Sequence, residues 1–154
     1  MTVFLGSDHA GFELKEELKK FLKKKEIEFQ DLGTDSKESC DYPDYALKVA
    51  KKVAKDKNAL GILICGTGTG TAITANKVKG VRAAQATSTY LAKMAREHNN
   101  ANVLSIGARV STPKEATKMV EVFLNTPFSN EERHARRVKK MDALLVPAME
   151  EKNL

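Results

Sequence analysis

Leu60-Gly61-Ile62-Leu63-Ile64-Cys65 runs without a break into Gly66-Thr67-Gly68-Thr69-Gly70-Thr71, and this junction decides the fold. A short, nearly continuous apolar run suits a strand covered on both faces, the usual situation in a parallel sheet. The glycines give a turn, and a helix follows through Ile73, Asn76 and Lys77. Outward from here the alternation repeats. Residues 3–7, 28–32, 81–86 and 103–106 are further β-rich runs, and 81–86 again reads as covered on both faces. Helical periodicity fills the gaps. Leu14, Leu18, Phe21 and Leu22 form one stripe, and Ala46, Val49, Ala50, Val53 and Ala54 a second. Leu91, Met94 and Ala95 form a third, which His98 continues, and Ala116, Met119, Val120, Phe123 and Leu124 a fourth. Strands alternating with helices predict a doubly wound α/β domain with a parallel sheet. Residues 1–154 are read as one such domain, with no linker or internal repeat.

Two helix starts are marked. Thr112-Pro113-Lys114-Glu115 has the pattern of a capping box with proline at the first helical position. Ser129-Asn130-Glu131-Glu132 has the same pattern, opening a last helix over about 129–145 with Val138, Met141, Leu144 and Leu145 on one face.

Composition narrows the function classes. The chain is 42% hydrophobic and 30% charged, as in soluble globular proteins. The longest apolar stretch is far too short for a membrane span. The start of the chain lacks a signal-peptide pattern, so a cytoplasmic location is expected. Cys40 and Cys65 are the two cysteines, and with three scattered histidines they match no metal-binding spacing, so neither a metal nor a cofactor is expected. The formal charge of +6 invites a nucleic-acid partner. Most of it comes from lysines interspersed with acids, including Lys15, Lys19, Lys20, Lys48, Lys51 and Lys52, read here as solvated helix faces. Aromatic stacking residues are scarce, so no nucleic-acid partner is expected.

The glycine loop allows backbone amides to approach an anion. Three familiar uses of such loops fail at position 71, where threonine stands. A dinucleotide fingerprint needs glycine there, a Cys-x5-Arg phosphatase needs arginine, and a P-loop needs a glycine-lysine-serine ending. Cys65 then has two readings. It is a small buried hydrophobe ending a strand, or a thiolate favoured by the start of the next helix. Asp8 and His9 end the first run and could cap or pack, or face a ligand at the carboxyl edge of the sheet. Arg109 stands just past the fifth run and reads equally as a surface residue. His98 ends its helix as a buried, dipole-stabilised imidazole or as an acid–base group. Arg133 and Arg137 lie four apart, a solvated basic face or a phosphate clamp.

Taken together, Gly6-Ser7-Asp8-His9-Ala10-Gly11, Asp41-Tyr42-Pro43-Asp44-Tyr45-Ala46, Ile64-Cys65-Gly66-Thr67-Gly68-Thr69-Gly70, Ala75-Asn76-Lys77, Gly80-Val81-Arg82-Ala83, Glu97-His98-Asn99-Asn100-Ala101-Asn102-Val103 and Arg133-His134-Ala135-Arg136-Arg137-Val138 resemble the type B ribose-5-phosphate isomerases. The resemblance spans residues 2 to about 142, and the wider family includes allose-6-phosphate and galactose-6-phosphate isomerases.

The resemblance implies a three-layer α/β/α Rossmann-like sandwich with strand order 2-1-3-5-4. It also implies interconversion of ribose 5-phosphate and ribulose 5-phosphate in the non-oxidative pentose phosphate pathway. By this analogy Cys65 is the base, acting through an enediolate, and His98 opens the sugar ring with Asp8 and Thr67 assisting. The amides of residues 66–70, among them Gly66, Gly68 and Gly70, cradle the enediolate. Tyr42, Asn99 and Arg109 line the site, while His9, Arg133, His134 and Arg137 hold phosphate. A subclass of the family replaces the cysteine and has glutamate where Thr71 stands, so the resemblance assigns this chain to the cysteine-dependent subclass. The alternatives are a six-carbon sugar phosphate as substrate and a non-catalytic sugar-phosphate module.

Topology adds an expectation about assembly. Strands run toward the edge bearing Asp8 and Cys65, and helices run back, so His98 and Arg133 should lie at the opposite edge. The groups then converge only across a homodimer with shared sites, or a tetramer built from it, with the last helix packing on or reaching the partner.

Overall fold

Residues 1–144 are described by the computed structural model, so Leu145, the last residue of the expected 129–145 helix, lies outside the described residues. The apolar run Leu60–Cys65 (β3) is buried at every position and occupies the centre of a parallel sheet. Val3–Ser7 (β1) pairs with it on one side and Val103–Gly107 (β5) on the other. Phe29–Asp31 (β2) and Ala83–Gln85 (β4) form the edges, giving the order β2-β1-β3-β5-β4. The winding direction reverses between β1 and β3, which opens a crevice at their carboxyl ends.

Helices cover both faces. Phe12–Lys24 (α1), Thr89–Asn99 (α4) and Pro113–Asn125 (α5) pack with Leu5, Ile62, Ile64, Leu104 and Ile106 on one side. Tyr42–Lys55 (α2) and Thr69–Ala75 (α3) pack with Phe4, Leu63 and Val103 on the other. Consecutive residues of β1, β3 and β5 therefore supply two separate cores, as a period of two requires. The last described helix, Glu132–Ala143 (α6), packs against α4.

Four local expectations are corrected. The 81–86 run is an edge strand, with Ala83 and Ala84 half-buried and Gln85 exposed. Lys15 is completely buried rather than solvated, because its Nζ meets the carboxylates of Asp31 and Glu16 beneath the end of β2. The inward face of α4 is Ala92 and Ala95, while Leu91 is exposed and His98 half-buried. Ser129 does not cap α6. Its hydroxyl binds His134 Nδ1 at 2.9 Å, and Glu131 takes the N-cap position without a side-chain bond. The Thr112 box forms as expected, with Glu115 N–H on Thr112 Oγ1 at 3.3 Å and Thr112 N–H on Glu115 Oε2 at 2.8 Å.

Candidate active site

β3 ends by turning its last side chain, Cys65, toward the α2/α3 face, the side already occupied by Leu63. The chain then reverses through Gly68, whose φ of 83° is a left-handed conformation that favours glycine. This turn aims the Gly68 N–H at Cys65 Sγ, 3.1 Å away. One turn later Thr71, wholly buried, brings Oγ1 to 3.3 Å from the same sulfur. Cys65 is 4% exposed, yet polar donors surround its sulfur. An apolar strand terminus would need neither donor. Helix α3 is only seven residues long, so these two directed donors, more than any helix dipole, address the sulfur.

The carboxyl edge gathers several of the expected residues. Asp8 is buried, and its Oδ1 accepts the Gly11 N–H at 3.0 Å, so it does fasten the turn into α1. His9 Nδ1 accepts the Cys40 N–H at 3.2 Å, which ties the loop before α2 to the end of β1. Tyr42 opens α2 over the glycine loop, so close that a Cβ on Gly70 would stand 2.6 Å from the ring. The Arg109 guanidinium lies over Gly66, where a Cβ would meet its Nη1 at 3.0 Å, and its backbone N–H binds the Gly66 carbonyl. Thr67 is exposed at the tip of the loop, its Oγ1 accepting the Thr69 N–H.

A second group lies elsewhere. His98 and Asn99 end α4, just before Asn102, whose carbonyl binds the Gly61 N–H at the start of β3. They are thus at the amino edge, separated from Cys65 by the length of β3, about 16 Å at a strand's rise per residue. His134 stacks on His98 with centroids 4.3 Å apart. Burial, then the His98, Arg133 and Arg137 charges, lower the His134 pKa below the usual 6.5. Arg133 and Arg137 are exposed beside it, with Arg133 Nε on Glu131 at 3.0 Å. One chain therefore carries two half-sets of candidate groups at opposite edges.

Sequence reading missed three residues of the cysteine edge. Ser105 and Thr71 form a buried hydroxyl pair 2.7 Å apart. Gln85 reaches from β4 to clamp the loop, donating to the Thr67 carbonyl at 2.8 Å and accepting from Thr69 Oγ1 at 3.2 Å. A serine inside the apolar run Val103-Leu104-Ser105-Ile106 was the available signal, since a buried hydroxyl needs a partner. Among the described residues, no three His, Cys, Asp or Glu side chains are grouped to hold a metal. No described helix is long and apolar enough to cross a membrane.

Fold and site together define a class, that of doubly wound α/β enzymes with a cysteine and a glycine loop at the sheet's switch point. The Ribose/Galactose Isomerase family model matches residues 3–141, and the chain belongs to that family. Ribose-5-phosphate isomerase B of Mycobacterium tuberculosis is 43% identical over 139 residues, covering 90% of this chain and 86% of that protein. The Clostridium thermocellum ribose-5-phosphate isomerase B structure is 48% identical with a TM-score of 0.89, covering 92% of this chain and 95% of the other. The Mycoplasma genitalium enzyme, solved with bound ribulose 5-phosphate, is 45% identical with a TM-score of 0.88, covering 92% and 93%.

Proposed function

We propose that this chain interconverts ribose 5-phosphate and ribulose 5-phosphate, with Cys65 as the base. The observation that carries the reading is Cys65 Sγ at the end of β3, receiving the Gly68 N–H and facing the Thr71 hydroxyl. The thiolate takes the proton from C2 of the open-chain aldose, leaving an enediolate and a thiol. The thiol returns that proton to C1, while the hydroxyl proton passes from O2 to O1. Atoms and electrons balance without a cofactor. Asp8 and Thr67 assist, the amides of the glycine loop, including Gly66, Gly68 and Gly70, stabilise the oxyanion, and Tyr42 and Arg109 line the site. A placed base contributes about 10²–10⁴-fold, and one lost oxyanion donor costs about 2.7–4 kcal/mol.

The reading includes a homodimer. Two half-sets at opposite edges are what a shared site requires, with His98 and Asn99 of one copy meeting Cys65 of the other. His98 then opens the sugar ring. His9 from the cysteine edge meets Arg133, His134 and Arg137 of the second copy around the phosphate. A reducing, cytoplasmic setting suits a base that must remain a free thiolate, and both cysteines are free.

The direct test compares kcat/KM for ribose 5-phosphate and allose 6-phosphate in the wild type and in Cys65→Ala. The pentose should be preferred, and Cys65→Ala should lose about 10³-fold or more in kcat with a small change in substrate affinity. Wild-type turnover in that variant would eliminate the thiolate mechanism. Mixing Cys65→Ala with His98→Asn chains should regenerate activity, and none in verified heterodimers would refute the shared site.

A further inference from the structure

Beneath Cys65 lies a polar chain that an apolar sheet core does not need. Thr71 and Ser105 are both completely buried, on α3 and on the middle of β5. Period two explains their meeting. Ser105 pairs in register with Leu63 and so faces the α2/α3 side, as Cys65 does two residues further along β3. Thr71 Oγ1 stands 3.3 Å from Cys65 Sγ, 2.7 Å from Ser105 Oγ and 3.2 Å from the Gly68 carbonyl. Ser105 Oγ is 2.7 Å from that same carbonyl.

Counting protons gives this chain a direction. The Gly68 carbonyl only accepts, and it already receives the Ala72 N–H at 3.2 Å. With a thiolate, Ser105 donates to Thr71 and Thr71 donates to sulfur. With a thiol, the S–H donates to Thr71, Thr71 to Ser105, and Ser105 to the Gly68 carbonyl. Rotating two hydroxyls reverses the two bonds that link sulfur, Thr71 and Ser105, and strands no buried donor. A base that takes and returns a proton in each turnover passes through both forms, so both must be satisfied.

We infer that Thr71 and Ser105 are positioning residues, a reversible hydroxyl relay that holds Cys65 Sγ in reach of substrate in both its thiolate and its thiol form. The inference rests on the reading of Cys65 as the base. The titratable groups at this edge are Asp8 and His9 at the end of β1, Cys40 and Asp41 before α2, and Tyr42 at its start, with the fixed charge of Arg109 after β5. Residues 66–70, α3, β4 and β5 carry no ionisable side chain other than Cys65 beside them. Substitutions at 71 and 105 therefore leave every other titrating group in place.

The test uses Thr71→Val, Thr71→Ser and Ser105→Ala in the full chain, with Cys65→Ala as control. Thr71→Val should lower kcat/KM at neutral pH by about ten- to a hundredfold, with KM little changed, the effect of losing one hydrogen bond to a charged group. The acid limb of its pH profile should move up by about one to two units, so activity recovers at alkaline pH. The ultraviolet absorbance of the Cys65 thiolate, read without substrate as the difference from Cys65→Ala, should move with it. Thr71→Ser should restore both readouts, and Ser105→Ala should shift both in the same direction by less. A folded Thr71→Val with unmoved acid limb and absorbance midpoint overturns the relay and leaves the base intact. If Thr71→Val does not fold, an unmoved midpoint in Ser105→Ala overturns it. Full activity in Cys65→Ala would instead remove the underlying reading of the base.

Discussion

The rings of His98 and His134 lie 4.3 Å apart between centroids with a tilt of 33°, stacking the end of α4 on the first turn of α6. Two adjacent imidazoles cannot both be charged cheaply, and His134 is buried beside two arginines as well. Desolvation first, and then His98, Arg133 and Arg137, hold its pKa below 6.5 in the fold.

The sign of the resulting pH dependence follows from linkage. The unfolded chain binds the His134 proton more tightly than the folded one, so stability rises with pH between the lowered folded value and 6.5. The contribution is complete above 6.5 and is lost as pH falls. Melting temperature should therefore drop on acidification from about pH 7 toward pH 5, and the drop should be smaller in His134→Gln. Parallel curves for the two proteins would count against it.

Lys15 and Asp31 predict a stability effect far from the chemistry. Burial alone would raise the Asp31 pKa, but hydrogen bonds from Lys15, Lys19 and the Gly33 amide outweigh it and hold the carboxyl below 3.8. Its contribution is present above that value and lost as pH falls through the lower folded one. Asp31→Asn should destabilise the fold by about 3 kcal/mol, because it strips the main partner from a fully buried ammonium. Adding Lys15→Met should recover much of the loss. Urea unfolding of the single and double variants measures both effects, and an unchanged midpoint in Asp31→Asn would be the contrary result.

Gly70→Ala tests Tyr42 as a wall of the site. The added Cβ would stand 2.6 Å from Tyr42 Cζ, and the exposed ring can yield by swinging outward. The variant should fold with a melting temperature close to wild type and show a raised KM. An unaltered KM would mean that the ring takes no part in binding.

Arg137→Ala tests the proposed phosphate clamp. The residue is exposed, so stability should change by less than about 0.5 kcal/mol. KM for the phosphorylated sugar should rise about tenfold or more while kcat changes little, the pattern of lost uniform binding. Equal KM values in variant and wild type would place the phosphate elsewhere.

Short-range features were legible in the chain itself. The run Leu60–Cys65 entering a glycine loop announced a central strand, and the Thr112 box announced the start of α5, because an apolar run and a capping box are each written in residues close together in the chain. The same reasoning named Cys65 and its loop as the place to look. It failed at Lys15, whose helical spacing says only that it neighbours Glu16 and Lys19, not that β2 will deliver Asp31 onto its ammonium. It failed again at Ser129, where a capping pattern yielded to a histidine five residues on.

What folding added is pairing across long intervals of chain. Thr71 and Ser105 are 34 positions apart, and Thr67 and Gln85 are 18 apart. No local preference brings such residues together. Their meeting follows from which strands become neighbours, from the register in which they pair, and from the parity that decides which face each side chain takes. Periodicity in a sequence says that a side chain will be covered, but the winding of the whole sheet selects what covers it.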